Sequence, residues 1–62
     1  MTLTITIEMD NAAFEDEGPA TEAGRILRRL AEDIEGAELP DGAGRNLRDI
    51  NDHYCGGWNV TE

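Results

Sequence analysis

His53 and Cys55 are the residues of this chain best suited to chemistry at neutral pH, and Asp49 and Asp52 lie just upstream of them. A zinc site needs about four ligands at defined spacing, and one histidine with one cysteine falls short. The only point in its favour is that residues two apart on a strand share a face. A thiol nucleophile needs a positioned base and a pocket for substrate, and 62 residues leave little room to wall a cleft. The plainer reading is a turn histidine beside a half-buried thiol. The chain has no serine, and the glycines at 42, 44, 56 and 57 match no phosphate loop. Carboxylates are plentiful, but hydrolysis by paired carboxylates needs a concave site that separates their pKa values. The expectation is therefore no enzyme, no metal and no cofactor.

The carboxylates remain the informative groups. Fourteen acids oppose five arginines and no lysine, for a formal net charge of -9. Solubility of a small domain asks for a magnitude of about 2–8. Six acids and no base lie in residues 1–22, and five acids and no base in residues 30–41. Within "RRLAEDIEGAELPD", Glu32, Asp33 and Glu35 load the C-terminal turn of an expected helix, where the helix dipole favours cations. Glu38 and Asp41 follow. Carboxylates at residues 32, 33, 35, 38 and 41 would mimic the phosphates of duplex DNA, which carries one charge per about 1.7 Å of axis.

Such a balance excludes direct nucleic-acid binding and points to a basic protein partner. Arg25, Arg28 and Arg29 cluster in sequence, but each has an acid one turn away. Glu22 can meet Arg25, Arg28 can meet Glu32, and Arg29 can meet Glu32 or Asp33, at about 0.2–0.5 kcal/mol each. A lone cysteine permits no internal disulfide, and "MTLTITIEMD" is neither a signal peptide nor a membrane span. The expectation is a soluble cytoplasmic protein.

The elements that must carry these residues are few. "TLTITIEM" alternates strictly and predicts a strand over about 2–9, with Leu3, Ile5, Ile7 and Met9 on one face and Thr2, Thr4, Thr6 and Glu8 on the other. Residues 10–18 read as a connector in which Phe14 plugs the core edge. There Glu15, Asp16 and Glu17 precede, favourably, a helix that Pro19 opens. Ala23, Ile26, Leu27, Leu30, Ala31 and Ile34 form the apolar stripe of that helix, over about 19–35. Gly24 suggests close approach to the sheet, and Gly36 a left-handed stop. After a loop in which Leu39 folds back on the core, a hairpin is expected over about 47–60. Its strands are 47–50 and 54–60, with a turn at 51–53 and a bulge at Gly56–Gly57. The fold class is α+β, strand-helix-strand-strand, with one amphipathic helix on a three-stranded sheet and a C-terminal antiparallel hairpin.

The stretch "DNAAFEDEGPATEAGRILRRLAEDIEG", followed by "LRDINDHYCGGWNV", resembles a group of very small proteins encoded by phages and prophages of proteobacteria. Their pattern has an N-terminal strand, a "DNAAF" connector, a helix of the "RILRxLA" kind and a closing "LRDIN" hairpin. The chain departs from it at "NDHYCGG", where a short Asn-Gly turn is more usual. In size and charge it is most similar to anti-CRISPR proteins, above all the type I-C inhibitors. The resemblance implies a cytoplasmic protein of a bacterial host cell that acts as a DNA mimic on the CRISPR Cascade complex. It transfers no catalytic residue, since inhibition by occupancy needs none.

The contact residues expected are Glu32, Asp33, Glu35, Glu38 and Asp41, with Glu15, Asp16 and Glu17 as a second patch. Trp58 is an anchor candidate, although burial at the sheet edge is the preferred reading. A monomer is expected rather than a dimer. The alternative is a small phage regulatory or interaction module that works by dimerisation or strand addition and does not target CRISPR.

Overall fold

A computed structural model describes all residues, 1–62. The elements are β1 (Thr2–Ile7), α1 (Ala12–Glu17), α2 (Pro19–Glu35), β2 (Gly44–Arg48) and β3 (Tyr54–Thr61). The sheet is antiparallel throughout and ordered β1-β3-β2, so β3 is the central strand and β1 and β2 are its edges. This is the expected α+β layout of one main helix on a three-stranded sheet.

The connector differs from the expectation, because residues 12–17 form a short helix. One and a half turns with only Ala12, Ala13 and Phe14 apolar are too few for a 3.6-residue period to show. Phe14 and Ala13 are each 1% exposed, so this short helix supplies core rather than a plug at its edge. Gly18 separates the two helices at φ 90, and Pro19 opens α2. The first strand ends at Ile7, leaving Glu8 and Met9 exposed beyond it.

α2 buries Ile26 and Leu30 over the central strand. Ile26 packs with Phe14 and Cys55; Leu30 packs with Trp58 and Val60, and Leu39 folds onto that second cluster. Gly24 is not a point of close approach to the sheet, since a Cβ there would meet only the Arg28 side chain. Nor is Gly36 left-handed, its φ being −94. The helix unwinds instead through a tight turn, in which Ala37 N–H donates to the Ile34 carbonyl at 3.0 Å.

The hairpin starts and ends further out than expected. Its first strand spans Gly44–Arg48, and Asp49 and Ile50 belong to the turn. Asp52 N–H donates to the Asp49 carbonyl at 2.9 Å, and Asp52 takes φ 64. The bulge lies at Cys55: Leu47 pairs Gly56 while Arg48 pairs Tyr54, so Cys55 is the extra residue. The extra residue shifts the alternation of β3 by one. That shift lets Cys55 share the buried face with Trp58 and Val60.

Gly56 makes this arrangement possible. It sits at φ 151, and a Cβ there would lie 2.0 Å from the Thr6 carbonyl oxygen of β1. Gly56→Ala must force β1 and β3 apart. The expected loss is about 2–3 kcal/mol, which in a domain of this size lowers Tm by roughly 10 °C or more. Thermal unfolding followed by circular dichroism checks this. Gly36→Ala, with open space around it, is the control that should leave Tm almost unchanged.

Candidate functional site

The two acidic patches lie at opposite ends of the molecule. α2 runs about 25 Å at 1.5 Å per residue over its 17 residues. Its start lies at the hairpin turn, where Glu22 meets Ile50. Its end lies where Ile34 and Leu39 pack against Trp58 and Val60. Glu15, Asp16 and Glu17 belong to α1 at the first end, and Glu8 and Asp10 lie in the segment that leads from β1 into it, where Glu8 N–H donates to the Cys55 carbonyl. Glu32, Glu35, Glu38 and Asp41 belong to the second end, where Asp41 Oδ1 accepts a hydrogen bond from Glu62 N–H at 3.2 Å. Arg25, Arg28 and Arg29 occupy the middle of α2 between the poles.

Within the second patch the acids do not form one stripe. Asp33 and Glu35 are two residues apart, hence about 200° apart around a helix of 3.6 residues per turn. Asp33 turns toward β2 and pairs with Arg29 at 3.6 Å. Glu35 flanks a groove against β1, lined by Ile5, Leu27, Leu30, Ala31 and Ile34. Glu32 lies on the outer face of the helix, and Arg28 does not pair with it. All eight predicted contact acids are exposed. Trp58 is 8% exposed and belongs to the core.

Of the fourteen acids, only Glu22 and Asp49 are buried. Of the twelve exposed, Asp33 and Asp52 meet an arginine within 4.0 Å. Ten carboxylates stand without an ion-pair partner, five at each pole.

The two buried carboxylates form a network that was not visible in the sequence. Glu22 takes Arg25 in a two-pronged grip, Nε to Oε1 at 2.7 Å and Nη2 to Oε2 at 3.1 Å. It also accepts the Ile50 N–H at 2.7 Å, which ties α2 to the hairpin turn. Asp49 Oδ1 accepts the N–H groups of Asn51 and His53 at 2.9 and 3.0 Å. Asn11 donates to Asp49 Oδ2 at 3.0 Å and to the Tyr54 carbonyl at 2.9 Å. The expected Glu22–Arg25 pairing is therefore made, but as a tertiary link rather than a surface pair. Asn11 caps no helix with its side chain; it fastens the start of α1 to the turn.

His53 and Cys55 do not come together as a site. His53 is exposed in the turn while Cys55 is buried, its thiol 3.6 Å from the Leu47 carbonyl oxygen. Burial pushes the thiol pKa up, and the negative charges of Asp49 and Glu22 push the same way. A thiol held in that state is a poor nucleophile. No three His, Cys, Asp or Glu side chains converge as metal ligands. No helix is long and apolar enough to cross a membrane. Comparison of the chain with protein-family models, with curated proteins and with solved structures found no match.

The buried carboxylates fix a pH dependence. The Arg25 hydrogen bonds hold the Glu22 carboxyl below its usual range, with help from the Ile50 N–H. Burial alone would raise Asp49, but the N–H groups of His53 and Asn51 and the Asn11 amide outweigh it and lower its pKa. Both groups bind protons more weakly folded than unfolded. Their contribution is complete above the unfolded-state carboxylate range near pH 4 and is lost as pH falls through the folded values. Urea midpoints should therefore drop from pH 6 to pH 3. Glu22→Gln should cost about 1–3 kcal/mol at pH 6 and flatten that drop; an unchanged slope would remove Glu22 from this role.

Proposed function

We propose that this protein is an inhibitor that presents carboxylates in place of nucleic-acid phosphates and occupies a basic surface of a type I CRISPR Cascade complex, blocking target DNA. The observation that carries the reading is the bipolar set of ten unpaired carboxylates. They stand five at each pole, and the poles are separated by the roughly 25 Å run of α2, so they offer a basic partner two groups of negative charge in place of phosphates. The choice of Cascade rests on the resemblance to anti-CRISPR proteins of phage origin.

The geometry refines the contact set. Asp33 is already paired with Arg29, and Glu35 faces the apolar groove. Glu32, Glu38 and Asp41 at one pole and Glu15, Asp16 and Glu17 at the other are free to meet cations. A target would carry two basic patches about 25 Å apart, roughly seven base steps along a strand.

The test is binding of purified type I-C Cascade, with and without target duplex, across a salt series. Affinity should fall steeply with salt, and duplex and protein should exclude each other. The triple variants Glu15→Gln/Asp16→Asn/Glu17→Gln and Glu32→Gln/Glu38→Gln/Asp41→Asn should each lose at least about tenfold in affinity, or about 1.4 kcal/mol, and stay folded. Full inhibition by both variants together would dismiss the reading.

A further inference from the structure

The two edges of the sheet are unlike. β2 is five residues long, carries Arg45 and Arg48, and is irregular after Leu47. Charge, shortness and irregularity are the usual guards against edge-to-edge pairing. β1 has none of them: "TLTITI" is six residues without a charge, a proline or a bulge. Glu8 N–H donates to the Cys55 carbonyl, and the Thr6 carbonyl faces Gly56. In an antiparallel ladder alternate residues point each way, so the backbone groups of Leu3, Ile5 and Ile7 face the open edge.

The side chains beside that edge are also uncovered. Leu3 opposes Val60 and Ile5 opposes Trp58, which puts both on the helix side of the sheet. Yet they remain 41% and 40% exposed, and Leu27 of α2 is 44% exposed beside them. α2 sits over β3 and leaves Leu3 and Ile5 of β1 only half covered, while Ile7 packs on the core.

We infer that a second copy of this chain covers this edge, through antiparallel β1–β1 pairing about a two-fold axis at Ile5. That register sets Ile5 against Ile5, Leu3 against Ile7 and Thr4 against Thr6, so both faces match. Strands about 4.8 Å apart place the two β3 strands, and the α2 helices over them, about 14 Å apart. The trough between the helices is floored by Leu3 and Ile5 and filled from each side by Leu27.

Charge selects the same arrangement. Glu35 borders the groove against β1. Arg28, two turns earlier and about 20° further round the helix toward its outer face, lies above that groove. Neither has an ion-pair partner within the chain. Residues two turns apart do not touch within one helix. α2 passes the level of Ile5 near Ala31. The two-fold therefore brings Arg28 of each copy to Glu35 of the other. The inference is independent of the inhibitor reading. It replaces the expected monomer with a six-stranded dimer, in which each end joins the α1 pole of one copy to the Asp41 pole of the other.

Sedimentation equilibrium over a micromolar concentration range tests it. The expected species is a dimer of twice the 6.8 kDa chain, tightened by salt because its acidic poles adjoin. Ile5→Lys and Leu27→Glu should each weaken dimerisation at least about tenfold and leave the circular dichroism of the fold intact. Arg28→Glu and Glu35→Arg should each weaken it, and the double variant should restore it. Hydrogen exchange at the Leu3, Ile5 and Ile7 amides should slow as concentration rises. A 6.8 kDa species at every concentration and salt would overturn the inference. So would a dimer that Ile5→Lys and Leu27→Glu leave unchanged, or one that Arg45→Glu on β2 alone abolishes.

Discussion

The buried carboxylate of Glu22 holds this domain in register. The apolar core is six buried side chains in two small clusters, with Ala13 beside them, too few to fix the hairpin turn by packing alone. Glu22 reaches from the first turns of α2 to the Ile50 N–H, and Asp49 gathers the rest of the turn while Asn11 ties it to α1. Three segments distant in sequence are thereby joined by hydrogen bonds to charged groups, each stronger than its neutral counterpart. The burial is shallow: Arg25, more than a third exposed, lies across Glu22 and keeps its own cation near water. This lets a charged pair act as a structural link without the full cost of desolvation.

The charge of the chain is divided by place. Two carboxylates work inward, two are matched by surface arginines, and ten are left outward. Arg28 and Arg29 lie in the middle of the helix, Arg25 and Arg48 bind acids beside the hairpin turn, and Arg45 shares a groove with Asp33 and Glu38.

What the sequence made legible follows from what leaves a period. The alternation of Leu3, Ile5 and Ile7 and the stripe from Ala23 to Ile34 each persist over several repeats; the helix forms over its expected range, and the strand stops two residues short of its own. α1 is too short to repeat, so the connector hid it. The Cys55 bulge adds one residue and reverses the alternation, which made Gly56–Gly57 look like the irregularity. The roles of Glu22, Asp49 and Asn11 depend on partners 28 to 43 positions away, and no local pattern announces those. The local relations are Glu22 three residues before Arg25, and Asp49 two and four residues before Asn51 and His53. The acidic patches were readable as composition, but their division between two poles needed the path of α2 across the sheet.

Cys55 gives the domain a built-in clock. It is the only thiol, it lies under the bulge beside Phe14 and Ile26, and its proton is held by burial and by neighbouring negative charge. An alkylating reagent can reach it only when the hairpin end lifts from α1 and α2. The labelling rate of the native protein is then set by how often that end opens, and it reads the strength of the carboxylate link from within the intact chain.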